Sequence, residues 1–144
     1  MIEDIRRILV VGAGTMGHGI AQSFAQEGYD VSLFSRSEQT LDRAKALIKS
    51  SLDTLAQEGM IDRKQIPAIT GRIKMTRSLE EGARDADIAF ETVVENRESK
   101  IEVFNQLDKL CPSKTLLASN TTSLNVFDFI KTSRPGNVLI AHWY

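Results

Sequence analysis

Cysteine occurs once in this 144-residue chain, at Cys111. A lone thiol excludes an intrachain disulfide and a cysteine-cluster metal site, and no metal is expected. Long apolar runs are missing too: none approaches the roughly 20 residues of a membrane-spanning helix. The opening MIEDIRR carries acid before base, with no apolar core behind it, so it does not read as a secretory signal. Charge of one sign is also missing. The net charge is −1, without the basic excess that marks a nucleic-acid-binding surface. The expectation is a cytoplasmic protein with neither a membrane nor a nucleic acid as partner. No repeat, low-complexity tract or linker interrupts the chain, and its length suits a single domain, residues 1–144, with a real core.

What is present is alternation. Short runs rich in Val and Ile alternate with longer amphipathic stretches, the pattern of β-α-β units and a parallel sheet. RILVVG (Arg7 to Gly12) reads as a buried strand, Thr15 to Glu27 as a helix stopped by Gly28, and DVSLFS as a second strand. Ser37 opens a long helix running to about Glu58, with Glu38 and Asp42 near its positive end. Leu41, Ala44, Leu47, Ile48, Leu52 and Leu55 give that helix an apolar stripe. Beyond it come a short helix and turn in IDRKQIPAITGRI, then strands in RIKMTRS and DADIAFETVV. The sequence then predicts a helix from Arg97 to Leu110, a strand in TLLASN, a helix from Asn125 to Ile130 and a last strand in NVLIAHWY.

The first strand runs into VVGAGTMGHGI, which sets Gly12, Gly14 and Gly17 in the spacing G-x-G-x-x-G between a strand and a helix. That context carries a mechanism. Gly12 permits the tight turn, Gly14 lets a pyrophosphate approach the backbone, and Gly17 lets the helix pack closely on the sheet. The helix start offers free N–H groups and a positive dipole end to phosphate. The fold expected is therefore α/β of the Rossmann type: doubly wound, mostly parallel, with a long helical excursion after the second strand. Gly12, Ala13, Gly14, Thr15, Met16 and Gly17 become candidate dinucleotide contacts.

The second strand ends at Ser35, followed by Arg36. An acid near this position would accept the adenosine ribose 2′-OH and repel a 2′-phosphate. Serine removes that repulsion, and arginine can pair with a phosphate through two N–H groups. NADP is favoured over NAD on this local argument, and both stay open.

The chain resembles the N-terminal domain of the 3-hydroxyacyl-CoA dehydrogenase family. The resemblance lies in VVGAGTMGHGIAQSFAQEGYDVSLF, in ETVVENRESKIEVFNQLDKLCPSKTLLASNTTSLNV and in the terminal RPGNVLIAHWY. It implies reversible oxidation of a 3-hydroxyacyl thioester with a nicotinamide cofactor. Glu95, Lys100 and Asn120 match positions that line the cofactor site. Thr122 stands where the family usually has a serine touching the substrate oxygen, and His142 matches the catalytic histidine. Ser51 matches a serine that touches coenzyme A, whereas Glu58 falls where some members carry a lysine. An acid there repels the phosphates of coenzyme A. Two alternatives stay open beside the thioester reading. One is a dehydrogenase of a free 3-hydroxy acid, of the sugar-acid or carnitine type. The other is a non-catalytic nicotinamide-binding module.

In the family a glutamate beyond the histidine orients the base, and a helical domain closes the substrate cleft and forms the dimer. Neither is found in this sequence. The expectation is a cofactor-binding half, inactive or nearly so by itself, from a homodimeric whole.

Overall fold

The computed structural model describes residues 5–144. Six strands form one sheet in the order β3-β2-β1-β4-β5-β6, and every pairing is parallel. In chain order they are β1 (Arg7–Val11), β2 (Asp30–Phe34), β3 (Ile73–Thr76), β4 (Ile88–Glu91), β5 (Leu116–Ser119) and β6 (Val138–Ile140). The helices are α1 (Gly17–Gln26), α2 (Glu38–Gln57), α3 (Ile66–Gly71), α4 (Leu79–Ala83) and α5 (Arg97–Leu110). This is the doubly wound order, and its direction of winding reverses between β1 and β4. A crevice opens there at the carboxyl ends of the strands.

Strand periodicity sorts the core. Ile8 and Val10 point to the face covered by α1, α2 and α3, with Val31, Leu33 and Phe90. Leu9 and Val11 point to the opposite face, with Ala89, Phe104, Leu107 and Leu117. Both faces of β1 are therefore buried, which is why its sequence is continuously apolar.

Most elements lie where the sequence places them, and the differences have local causes. Ser37 does cap α2, its Oγ accepting from the Thr40 N–H at 3.3 Å. Leu41, Ala44, Ile48 and Leu52 of the stripe are buried, but Leu47 is 40% exposed. One residue is about 100° of helix turn, so a side chain adjacent to Ile48 leaves the stripe. The first helix begins at Gly17, not Thr15, because Gly14 to Met16 form the turn that leads into it. The strand read in DADIAFETVV narrows to Ile88–Glu91. Ahead of it, the Asp87 carboxylate accepts from the backbone N–H groups of Arg6 and Arg7. The helix expected over Asn125 to Ile130 is a single 3₁₀ turn, Val126–Asp128, and α4 was not anticipated at all. The last strand stops at Ile140. The Ala141 N–H still bonds the Ser119 carbonyl, but the Trp143 N–H turns instead to the side chain of Asn120.

The crossing from β5 to β6 is clamped from below. Arg134 Nε donates to Asp108 Oδ1 at 3.0 Å, and its Nη2 donates to the Asp108 carbonyl at 2.6 Å. Thr132 Oγ1 and the Ser133 N–H donate to the same carboxylate. Burial pushes the Asp108 carboxyl up, but the bonds from Thr132, Ser133 and Arg134 outweigh it and hold it down at about 2. A depressed folded-state value contributes stability at pH above the unfolded value, lost as pH falls toward the folded one. Asp108→Asn is thus expected to cost on the order of 2 kcal/mol at neutral pH. The gap between wild type and variant should close between about pH 4 and pH 2 in urea titrations. A pH-independent gap would contradict the linkage.

Cys111 lies buried at the end of α5, and burial pushes its thiol up to about 11. It is a core residue with little thiolate at neutral pH.

Candidate functional site

The glycine turn sits at the carboxyl end of β1, pressed against the first residue after β4. Gly12 has φ +111°, a conformation suited to glycine. A Cβ on Gly12 would stand 2.9 Å from the Thr92 carbonyl oxygen, and one on Gly17 would stand 1.7 Å from the Gly12 carbonyl oxygen. Thr92 Oγ1 donates to the carbonyls of Val11 (3.1 Å) and Gly12 (2.8 Å), fastening the turn to the neighbouring strand. Gly14 differs: nothing lies within 4 Å of the position its Cβ would take. The open side of the turn faces out, as a cradle for a pyrophosphate requires. His18 Nδ1 donates to the Gly14 carbonyl at 2.8 Å and so holds the turn from the helix side.

A cleft of about 390 Å³ extends from this turn. Gly12, Ala13 and Gly14 form one wall, Ser35, Arg36 and Thr40 another, and Thr92, Val93 and Val94 a third. Ser35 Oγ accepts from the Ser37 N–H at 3.2 Å, so the serine shapes the bend between β2 and α2. No carboxylate stands at the end of β2. Arg36 is exposed along the rim. Beside it, Arg77 Nε donates to the Arg36 carbonyl, and Arg77 lies 3.7 Å from Glu38. A larger groove, about 690 Å³, lies away from the strand ends among α2, α3 and β3 and shares no lining residue with the cleft.

Thr122 and His142 come together beyond the ends of β5 and β6. Thr122 Oγ1 and His142 Nε2 are 3.4 Å apart, both on exposed residues. Asn120 is half-buried, its Oδ1 accepting from the Trp143 N–H at 2.8 Å, so it holds the segment that carries His142. Glu95 follows β4, and its Oε1 accepts from the N–H groups of Thr122 (3.0 Å) and Ser123 (3.1 Å). Burial raises the Glu95 carboxyl, but bonds from Thr121, Ser123 and Lys100 outweigh it and bring it to about 2. Glu95 is therefore a carboxylate at any ordinary pH.

Lys100 is not at the cleft surface. Its side chain is 0% exposed, paired with Glu91 and Glu95. Ser51 is exposed on α2, thirteen residues after the helix start and thus about 20 Å along its axis. The structure does not bring it to the other candidates. Thr15 and Met16 belong to the turn that precedes α1.

Thr92, Thr121 and Glu91 also shape the site, and no motif in the sequence contains them as site residues. A signal existed for Glu91: a charge closing the apolar run IAF, with a lysine nine residues on. A charge inside a core strand needs a buried partner. Thr92 and Thr121 carried no comparable mark. Among the described residues no group of histidine, cysteine and carboxylate side chains could hold a metal, and no helix is long and apolar enough to cross a membrane.

Comparison with known proteins gives the family and the fold. Residues 7–144 match the family model described as 3-hydroxyacyl-CoA dehydrogenase, NAD binding domain. A probable 3-hydroxybutyryl-CoA dehydrogenase of Bacillus subtilis is 36% identical over 97% of this chain and 49% of its own length. The L-carnitine dehydrogenase of Streptomyces griseus is 30% identical over 97% of the chain and 41% of its own. The crystal structure of (S)-3-hydroxybutyryl-CoA dehydrogenase from Ralstonia eutropha superposes with a TM-score of 0.91 at 30% identity, covering 98% of this chain and 50% of that one. The chain thus spans about half the length of the curated relatives it matches. A parallel sheet wound in this order, a glycine turn at its crevice and a family match along nearly its whole length lead to one assignment: the chain belongs to the 3-hydroxyacyl-CoA dehydrogenase family, as its NAD-binding domain.

Proposed function

We propose that this chain is the cofactor half of an enzyme that reversibly oxidises a 3-hydroxyacyl-CoA, of the 3-hydroxybutyryl-CoA type, to the 3-oxoacyl-CoA. The observation that carries the reading is the pairing of Thr122 Oγ1 with His142 Nε2 at 3.4 Å, on the strand-end edge that also bears the glycine turn. Oxidising a secondary alcohol requires hydride to leave carbon while a base takes the hydroxyl proton. His142 Nε2 is the base, because a neutral imidazole nitrogen carries a lone pair that can take the hydroxyl proton. Thr122 Oγ1 donates to or accepts from the substrate oxygen and aims that hydroxyl at the imidazole. The nicotinamide, when bound, supplies the hydride acceptor. Gly12 to Gly17 seat the pyrophosphate through backbone N–H groups, with the open face of Gly14 giving it room.

At the adenosine end, Ser35 and Arg36 favour NADP over NAD, since no carboxylate repels a 2′-phosphate there. A charge-assisted arginine–phosphate contact is worth roughly 1.5–3 kcal/mol. Arg36→Ala is therefore expected to weaken NADPH binding at least tenfold while changing NADH binding less than threefold. Calorimetry with both reduced cofactors checks this. Equal losses for the two would remove the 2′-phosphate role.

The whole enzyme would be a cytoplasmic homodimer, its partner surface and cleft-closing elements supplied by the half of the relatives' length that this chain does not cover. Assaying a protein that carries both halves against 3-hydroxybutyryl-CoA tests the activity. Loss of that activity in His142→Gln supports the assignment of the base, and full retention overturns it. One observation favours a second reading, oxidation of a free 3-hydroxy acid. Glu58 ends α2 as an exposed carboxylate, on the helix whose Ser51 would meet coenzyme A. Faster turnover of carnitine or a sugar acid than of the thioester would select that reading. If no 3-hydroxy acid is oxidised while cofactor still binds, the domain is a nicotinamide-binding module.

A further inference from the structure

Thr122 and His142 are both exposed residues, and something must hold them in register. Below the turn that carries Thr122 lies an ionic cluster enclosed by the protein. Glu91 and Lys100 are both 0% exposed. Lys100 Nζ donates to Glu91 Oε1 at 2.9 Å and Oε2 at 2.8 Å, and it lies 3.2 Å from Glu95 Oε2. The far carboxylate is fully satisfied, because Glu91 also accepts from Ser119 Oγ at 2.6 Å and from the Val93 N–H at 2.8 Å. Glu95 is only partly covered, at 35% exposure. Its second oxygen gathers the Thr121 hydroxyl and the N–H groups of Thr122 and Ser123.

A buried ion pair contributes little stability compared with apolar residues of similar size, so filling the core does not account for this cluster. Its geometry does. One cation bridges two carboxylates, the first anchored to β4 and β5, the second cupping the turn that bears Thr122. Resting on the dehydrogenase reading above, we infer that Glu91, Lys100 and Glu95 form a positioning relay for the reacting pair. Glu91 fixes the Lys100 ammonium, the ammonium fixes one oxygen of Glu95, and the other oxygen folds residues 121–123 so that Thr122 Oγ1 faces His142. Glu95 and Lys100 are thus positioning residues, acting on chemistry through Thr122 rather than by touching substrate.

Glu95→Gln leaves one acceptor oxygen where the relay uses two, while keeping the side chain's shape, and partial exposure lets the variant fold. In the two-domain enzyme, kcat should fall about 10²-fold, the usual cost of displacing a reacting group by roughly 1 Å. The melting temperature should stay close to that of the wild type, because Glu95 is partly exposed and Lys100 keeps Glu91 as its partner. A purely structural role would lower the melting temperature and leave kcat alone. Folded Glu95→Gln with kcat within threefold of wild type overturns the relay.

A second arm needs no turnover. In NMR spectra of this chain, the Thr122 methyl and the His142 ring should give a nuclear Overhauser contact that disappears in Glu95→Gln and weakens in Thr121→Val. Survival of the contact in both variants overturns the proposal. If the wild-type enzyme oxidises no 3-hydroxy acid yet the contact is lost in the variants, the functional reading fails and the relay stands.

Discussion

Gly17→Ala is expected to abolish measurable binding of NADH and NADPH and to destabilise the domain by about 3 kcal/mol or more. The added methyl would lie 1.7 Å from the carbonyl oxygen of Gly12 and 2.9 Å from Thr92 Oγ1. The first is a main-chain atom and cannot rotate away. Either α1 lifts off the sheet or the turn opens, and either motion misaligns the N–H groups that would meet the pyrophosphate. Gly14→Ala supplies the contrast. With nothing within 4 Å of the new Cβ, the free protein should keep its stability within about 0.5 kcal/mol. Cofactor affinity should nevertheless fall at least tenfold, because the methyl occupies the side from which the pyrophosphate approaches. Urea titration and calorimetry on the two variants separate the roles. A Gly17→Ala protein with wild-type stability, or a Gly14→Ala protein with wild-type affinity, would show the turn to be misassigned.

The second large effect concerns Lys100. Removing one partner of a fully buried ion pair leaves an uncompensated charge, typically at a cost of 3–5 kcal/mol. Lys100→Met should show a loss of about that size in urea titration, since Glu91 would be left fully buried without its cation. Adding Glu91→Leu should restore most of the stability, because an apolar pair avoids the desolvation cost. The same double variant leaves Glu95 without its cation. Stability should therefore return while kcat in the two-domain enzyme does not. A double variant as unstable as the single one would mean that packing, not charge, is lost with Lys100.

The fold and the turn were legible because they rest on local patterns. Continuous apolar strands between amphipathic helices, and glycines at a strand–helix junction, follow from backbone sterics and periodicity. The pairing of Thr122 with His142 was legible only through resemblance, since twenty residues separate them and no spacing rule joins them. Lys100 was placed at the cofactor, whereas tertiary packing encloses it. A lysine one turn into a capped helix looks the same from sequence whether its neighbour is water or a buried carboxylate. The end of β6 was overextended for a similar reason. An apolar tail reads as strand, but Asn120 takes the Trp143 N–H out of the ladder, and no local pattern records a partner twenty-three residues away.

Trp143 is the chain's one tryptophan. It is half-buried, its ring centroid 5.7 Å from that of Phe24 on α1, and its backbone is tethered beside His142. Intrinsic fluorescence is therefore a label-free gauge of whether the imidazole segment is docked on the sheet. Because reduced nicotinamide absorbs where indole emits, quenching of that signal would follow ligand arrival in real time, in a protein that needs no dye.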